Sequence, residues 1–266
     1  MNPLERLEDV LRPLGTALVA LSGGVDSAVV ALAAHRALGS GAVALTAHSP
    51  SLPDSELAEA RAVAARIGIA HRVVDTRELE REGYQANAGN RCYFCKTELY
   101  DQAEALRAEL GLAFILDGTL PSDLRDTRPG LVAAAEHRVR HPLVEAGVDK
   151  PDVRDIARAF GLPVWDKPSF ACLGSRFPVG TRVSFEKLQR VGAAELALRQ
   201  LGFRRARVRW HEIGEKVLAR IELDPGDLAR VLEHGVREQV VEAAQAAGFA
   251  WVTLDLVGYR SPTGMG

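Results

Sequence analysis

The chain predicts an α/β fold: a parallel-sheet domain followed by a smaller α+β unit. Three observations carry this. The first half alternates short apolar runs with amphipathic stretches, the pattern of βαβ units. A glycine-rich turn follows the first apolar run directly. From Lys150 onward the alternation gives way to a proline- and glycine-studded stretch, and then to helix, strand, strand, helix and strand.

Each element has its own warrant. Thr16 to Leu21 is a compact β-like run, followed by the glycine turn and a helix from about Asp26 to Leu38. Ala42 to Ala47 is the second strand. Asp54 opens a helix to about Ile67, with Ser55 and Glu56 in its first turn. Ala70 to Val74 is the third strand. A helix spans Thr97 to Leu110, and Gly111 stops it. Ala113 to Leu116 is the fourth strand and ends at Asp117-Gly118. Beyond Lys150, Pro151 to Phe160 and Ser184 to Leu201 are helical, Arg205 to Trp210 and Val217 to Leu223 are strands, Arg237 to Ala247 is helical, and Trp251 to Leu256 is a strand. The boundary is drawn at Trp165, giving domains 1–165 and 166–266.

Composition narrows the functional classes. The 266 residues suffice for one large or two modest domains. Thirty-three basic against 35 acidic side chains leave a net charge of −2, so no basic footprint for long nucleic acid is expected. No apolar run approaches the roughly 20 residues of a membrane span. The stretch Met1 to Arg12 carries acids and lacks a signal-peptide core, so a cytoplasmic location is expected. Three cysteines, an odd count, argue against a disulfide framework.

Chemistry concentrates first in Ser22-Gly23-Gly24-Val25-Asp26-Ser27. Glycines let the backbone approach a phosphate, and a following helix N-terminus offers unpaired N–H donors. Ser22 and Ser27 add hydroxyl donors, and Asp26 suits a magnesium ion shared with phosphate oxygens. The string lacks the Gly-Lys-Ser/Thr end of a Walker A loop. A plain strand-to-helix turn is the bland alternative.

The second concentration is sulfur. Cys92 and Cys95 form a C-x-x-C pair just before the helix expected at Thr97, and Cys172 lies in the later loop Lys167 to Arg176. Three thiolates can hold a [4Fe-4S] cluster and leave its fourth iron open. A zinc ion with a fourth ligand from His48, His71, His137 or His141, a redox pair, or inert buried thiols are competing readings.

With those motifs on the page, the chain resembles the LarE family of ATP-dependent sulfur transferases, which help build a nickel-pincer nucleotide cofactor. The resemblance rests on Ser22 to Ser27, Arg91 to Lys96, Asp117-Gly118-Thr119, Arg128-Pro129-Gly130, His141-Pro142-Leu143 and the Cys172 loop with Ser175-Arg176. It continues through Arg207 to His211, Ala219 to Glu222 and Asp255 to Arg260. The loop after the first strand is then a PP-loop, which holds the pyrophosphate of ATP while the α-phosphate is attacked.

What this resemblance implies is specific. ATP with Mg2+ adenylates a carboxylate of pyridinium-3,5-biscarboxylic acid mononucleotide, and sulfur displaces AMP to leave a thiocarboxylate. Cys92, Cys95 and Cys172 become catalytic and cluster-ligating. Arg207 and Arg209, two apart on a strand and so on one face, become holders of the substrate phosphate; a solvated basic strand face is their alternative. Glu195 and Glu222 match positions near a metal; surface acids paired with arginines are theirs. Arg125, Asp126 and Arg128 are either loop ion pairs or nucleotide contacts. A homo-oligomer, a hexamer in the family, is implied. Leu120 stands where the family usually has asparagine, and the tail from Ser261 departs further. The rival enzyme is a tRNA thiolase, which also joins a PP-loop to a C-x-x-C pair and a distant cysteine but needs a basic RNA surface. A non-catalytic nucleotide-sensing module and an amidating ligase are further alternatives, the latter without a glutaminase segment.

Overall fold

The computed structural model describes residues 2–125, 129–168 and 171–260, the side chain of Arg125 excepted. The chain forms two compact units, one of residues 1–84 with 89–170 and one of residues 85–88 with 171–266.

The first unit is an α/β layer structure. Four parallel strands, β1 (Ala17–Ala20), β2 (Ala42–His48), β3 (Ala70–Asp75) and β4 (Phe114–Leu116), lie in the order β3-β2-β1-β4. All three strand pairings are parallel, with Ala17 opposite both Ala42 and Phe114. Alternate residues of β1 feed opposite faces. Val19 joins the core built with α1 (Pro3–Leu11) and α2 (Val25–Leu38), and Leu18 joins the one built with α4 (Arg91–Glu109), counting α3 (Asp54–Ile67) between them. A strand buried on both faces reads as a continuous apolar run, which is why Ala17-Leu18-Val19 carries no polar residue. Helix α2 is apolar around most of its circumference, with nine residues from Val25 to Ala34 buried, because it is enclosed by neighbours rather than facing water.

The chain leaves β1 toward β2 on one side and reaches β4 on the other. That reversal opens a crevice at the carboxyl end of β1, the place where doubly wound sheets bind ligands.

Several elements differ from the sequence expectation: helices Pro3–Leu11, Glu82–Ala86, Pro129–Glu136 and Pro142–Glu145 are added, and α4 starts earlier. Helix α1 is an added element: Leu4, Leu7 and Leu11 recur at helical spacing and are buried, and Asn2 and Glu5 close a capping box at 2.9 and 3.0 Å. Helix α4 begins at Arg91, not Thr97, so Cys92 and Cys95 are the second and fifth residues of the helix rather than lying before it. Cysteine and aromatic residues are weak helix formers, and α4 has no clear apolar stripe to announce its start. Tertiary packing supplies the difference, since the Phe94 ring sits where a side chain at Gly83 would otherwise be.

The first unit also contains α5 (Pro129–Glu136) and α6 (Lys150–Ala159), the latter capped by Asp149, which accepts from the Asp152 N–H. In the second unit β5 (Ala206–Ile213) pairs antiparallel with β6 (Lys216–Leu223), and β6 pairs parallel with β7 (Trp251–Leu254). Helices α7 (Phe185–Gln200) and α8 (Val236–Ala246) complete it. One face of β5 buries Val208 and Trp210, and the Trp210 ring meets Phe177 at 5.7 Å and Phe249 at 5.4 Å. The other face carries Arg207, Arg209 and His211. Residues 85–88 belong here because Asn87 Nδ2 donates to the Pro178 and Thr181 carbonyls at 2.8 and 3.2 Å.

Candidate functional site

The glycine turn occupies the crevice at the end of β1. Gly23 sits at φ 76°, and a Cβ there would lie 3.0 Å from the Glu56 carbonyl, so both conformation and space require glycine. The two serines knit the loop together. Ser27 Oγ donates to the Gly24 carbonyl at 3.1 Å, and Ser27 Oγ in turn accepts from the Ser22 N–H and hydroxyl, each at 3.1 Å. Gly24 is the N-cap of α2 and offers no side chain to its first N–H groups. The helix end therefore keeps its donors and partial positive charge for an anion.

A cavity of about 290 Å³ opens beside this loop, lined by Ser22, Asp26, Ser27, Thr46, Lys96, Asp117, Thr119 and Asp123 among others. Strand ends and loops supply all of them except Lys96, which comes from α4, Asp26 and Ser27, which open α2, and Asp123, which lies in the short 3-10 helix Pro121–Arg125. Burial pushes the Asp26 carboxyl above the ordinary range; Lys150 opposes the shift and Asp123 adds to it. Lys150 Nζ donates to both Asp26 oxygens at 2.8 and 2.7 Å. Lys167 Nζ donates to the Gly23 carbonyl at 3.1 Å and to Glu56 at 2.7 Å. Neither lysine belongs to the loop motif, and both were missed in the sequence because they lie 124 and 144 residues from their partners.

The opposite wall is organised around Asp117, buried at the end of β4. Its Oδ1 accepts from His141 Nδ1 at 2.7 Å and from the Thr119 N–H at 3.0 Å. Its Oδ2 accepts from Thr119 Oγ1 at 2.9 Å and from the Tyr100 hydroxyl at 3.1 Å. Burial disfavours the carboxylate, but His141, Lys96 and the Thr119 N–H outweigh it and hold Asp117 below the usual range. The hydrogen bond to Asp117 raises His141 in return. Burial pushes Tyr100 up to about 12. Lys96, 5.6 Å over the Tyr100 ring, is raised by the charges of Tyr100, Asp117, Cys95 and Cys92 against its own desolvation. Gly118 must be glycine, because a Cβ would stand 2.6 Å from the Ser27 amide nitrogen. The family-like string Asp117-Gly118-Thr119 thus forms a wall pressed onto the start of α2.

All three thiols are unbridged. Cys92 is exposed and Cys95 partly buried, and the i, i+3 spacing sets both on one face of α4. Cys172, in the second unit, is partly buried and precedes the turn Leu173–Arg176, its carbonyl accepting from the Ser175 N–H at 2.9 Å. Among the described residues no group of three His, Cys, Asp or Glu side chains converges on a metal position. The four histidines considered as zinc ligands have other partners: His48 bonds Asp75, His71 bonds Thr46, His137 pairs with Asp101 and Glu104, and His141 bonds Asp117.

Around Cys172 the second unit builds an arginine–carboxylate lattice. Arg176 is 2% exposed and Glu195 1%. Arg176 Nε and Nη2 donate to the two Glu195 oxygens at 2.6 and 3.1 Å, and Glu195 also accepts from the Val208 N–H at 3.0 Å. Arg176 Nη1 donates to the Ala171 carbonyl at 3.0 Å, and Arg209 Nη1 to the Ser175 carbonyl at 2.7 Å. The cysteine loop is therefore held on both sides of Cys172. Arg209 Nε pairs with Glu222 at 2.9 Å. Arg207 is buried; it donates to the Arg260 carbonyl at 3.0 Å and the Tyr259 hydroxyl at 2.8 Å, and lies 4.1 Å over the Tyr259 ring. Burial pushes the Arg207 guanidinium below its ordinary pKa range, with Arg176 and Arg209 adding to the effect. Glu195 and Glu222 are buried acids rather than surface ones, and their oxygens already meet guanidinium groups. Asp126 and Arg128, the Arg125 side chain, Ser169 and Phe170 of the cysteine loop and the tail from Ser261 lie outside the described residues.

Comparison with known proteins gives consistent neighbours. Residues 11–86 match the asparagine synthase family model. An uncharacterized protein of Synechocystis sp. is 49% identical, over 98% of this chain and 96% of that one. The pyridinium-3,5-bisthiocarboxylic acid mononucleotide synthase of Lactiplantibacillus plantarum is 36% identical, over 94% of this chain and 89% of its own. A tRNA-specific 2-thiouridylase of Acidithiobacillus ferrooxidans is 32% identical over only 56% of this chain and 50% of its own. The parallel sheet, the strand–loop–helix at Ser22 to Ser27 and this end-to-end similarity lead to one conclusion: the chain belongs to the LarE family of PP-loop proteins.

Proposed function

We propose that this protein is an AMP-forming, ATP-dependent sulfur transferase that converts the carboxylates of pyridinium-3,5-biscarboxylic acid mononucleotide to thiocarboxylates. The observation that carries the reading is the cavity at the carboxyl end of β1, where an unfilled helix N-terminus, two serines and the carboxylates Asp26 and Asp123 face one space. Such a site binds a polyphosphate with a divalent ion, and the loop has no Walker lysine to steady a transferred γ-phosphate. The relative named as a synthase of the bisthiocarboxylic acid supplies the substrate class.

In this reading the first unit is the ATP pyrophosphatase domain and the second handles sulfur and substrate. Ser22, Gly23, Gly24 and Ser27 hold phosphate oxygens, and Asp26 with Asp123 supplies oxygen ligands for Mg2+. Adenylation turns a poor electrophile into one with a good leaving group, which sulfur then displaces. Arg207, whose guanidinium meets a carbonyl and a hydroxyl rather than a carboxylate, is suited to an anionic substrate group, and Arg209 supports it while holding the cysteine loop. Cys92, Cys95 and Cys172 are unbridged thiols of the type that would hold a [4Fe-4S] cluster. Such a cluster supplies an iron without a protein ligand, on which an extra sulfide can ride. Glu195 and Glu222 would bind a metal only by giving up Arg176 and Arg209.

The test combines pyrophosphate release with mass spectrometry of the nucleotide product. The wild-type protein, anaerobically reconstituted to about four irons per chain, should release pyrophosphate only with the dicarboxylate nucleotide and form its thiocarboxylate. Cys172→Ala should keep pyrophosphate release and lose thiocarboxylate. Release independent of that nucleotide, or salt-dependent tight binding of bulk tRNA in its place, would point to the thiolase reading.

A further inference from the structure

We propose that Lys150 is a pyrophosphate-binding residue, held on Asp26 in this structure and freed for the leaving group when that carboxylate takes a divalent cation. The proposal rests on the ATP reading above and extends it to a residue outside every loop motif.

Three cations approach the glycine loop from distant sequence: Lys150 and Arg154 from α6, and Lys167 beyond it. Two of them are tied to fixed partners. Arg154 donates to the Trp165 and Lys167 carbonyls at 3.1 and 3.4 Å. Lys167 bridges the Gly23 carbonyl, Glu56 and Glu59, with its side chain 14% exposed. Lys150 differs on both counts. Its partner is a carboxylate that lines the nucleotide cavity, and its side chain is 36% exposed. A screened pair of this kind exchanges at little cost.

The partner is also contested. Asp26 and Asp123 face the same cavity, and two like charges there call for a counter-cation. Lys150 Nζ plays that part at 2.7 Å. In adenylation a carboxylate oxygen bonds the α-phosphorus as the bond from that phosphorus to the bridging oxygen breaks. The electron pair leaves on pyrophosphate, so negative charge grows beside the loop. A divalent ion on Asp26 leaves the Lys150 ammonium without its carboxylate and within a side-chain swing of that charge. Lysine binds phosphate as a flexible point charge, which suits a group that must first be held elsewhere.

The experiment is calorimetric titration of the full chain in magnesium buffer with sodium pyrophosphate and, separately, with AMP. Lys150→Met should weaken pyrophosphate about ten- to hundredfold, the worth of one charged hydrogen bond. AMP should stay within about twofold of wild type, and Lys150→Arg should restore most of the lost pyrophosphate affinity. Unchanged pyrophosphate binding in Lys150→Met overturns the proposal. So does an equal fall for both ligands, which marks a merely structural lysine. If wild-type protein binds neither ligand, the ATP reading itself fails and the proposal falls with it.

Discussion

The two units treat charge in opposite ways. At the glycine loop the pair Lys150–Asp26 stands partly open to solvent, with side chains 36% and 27% exposed. Beside Cys172 the pair Arg176–Glu195 is sealed, with both side chains 2% exposed. The first arrangement can give up a partner to an incoming ligand at small cost. The second cannot, because either ion left alone in a dry interior is heavily penalised. One unit therefore keeps its charges exchangeable beside the cavity at the glycine loop, while the other uses charge as a fixed brace on the loop that carries Cys172.

The sharpest way to break this contrast is Glu195→Ala. It removes the buried carboxylate that pairs with Arg176 through two hydrogen bonds and should cost about 3–5 kcal/mol, read by urea unfolding followed through tryptophan fluorescence. Trp210 and Trp251 report on that unit. A loss under about 1 kcal/mol, the range of surface pairs, would show that the brace is not sealed.

Next comes Gly118→Ala. Its new Cβ would stand 2.6 Å from the Ser27 nitrogen and 3.0 Å from the Asp26 carbonyl carbon, so backbone must yield. A destabilisation of about 1–3 kcal/mol is expected, with AMP affinity falling too because the start of α2 shifts. Normal AMP binding would show that this wall is not needed to shape the cavity.

His141→Gln should cost about 1–2 kcal/mol near neutral pH, since it replaces a charged hydrogen bond to a buried carboxylate by a neutral one. The pH dependence has a definite sign. His141 is raised above 6.5, so its contribution is complete below that value and fades as pH climbs through the raised one. Asp117 is lowered below 3.8, so its contribution is complete above that value and fades as pH drops through the lowered one. The pair therefore stabilises most between the two, and the variant should lack the loss on the alkaline side. Thermal melts from pH 5 to pH 9 would decide it, and parallel curves for both proteins would refute the pairing.

The smallest effect belongs to the exchangeable pair. Lys150→Met should change stability by less than about 1 kcal/mol, as for a solvent-screened ion pair, measured by the same urea transition. A cost approaching that of Glu195→Ala would erase the distinction between the units.

Much of the local frame was legible along the chain. Apolar runs of strand length marked β1 to β4, and glycines and helix caps marked the ends of α2, α3 and α6, because these signals are carried by neighbours a few residues apart. The start of α4 was hidden, since Cys92, Tyr93 and Phe94 offer neither propensity nor periodicity, and the packing of Phe94 over Gly83 lies 11 positions away in sequence. The glutamates were visible as candidates but not as buried partners of arginines. Nothing along the chain places Glu195 beside Arg176, 19 residues earlier, rather than in water.

By itself the sequence determined the strand–loop–helix at Ser22 to Ser27, the parallel α/β character of the first unit and an odd count of three cysteines that argues against a disulfide framework. These follow from composition, spacing and periods of two or 3.6 residues. Only the tertiary structure decided which charges meet. It brought Lys150 to Asp26, Lys167 to Gly23, His141 to Asp117 and Arg209 to the carbonyl of Ser175, across separations of 124, 144, 24 and 34 residues. Such pairings depend on how layers stack and how far each end is buried, and burial is a property of the folded whole rather than of any stretch of chain.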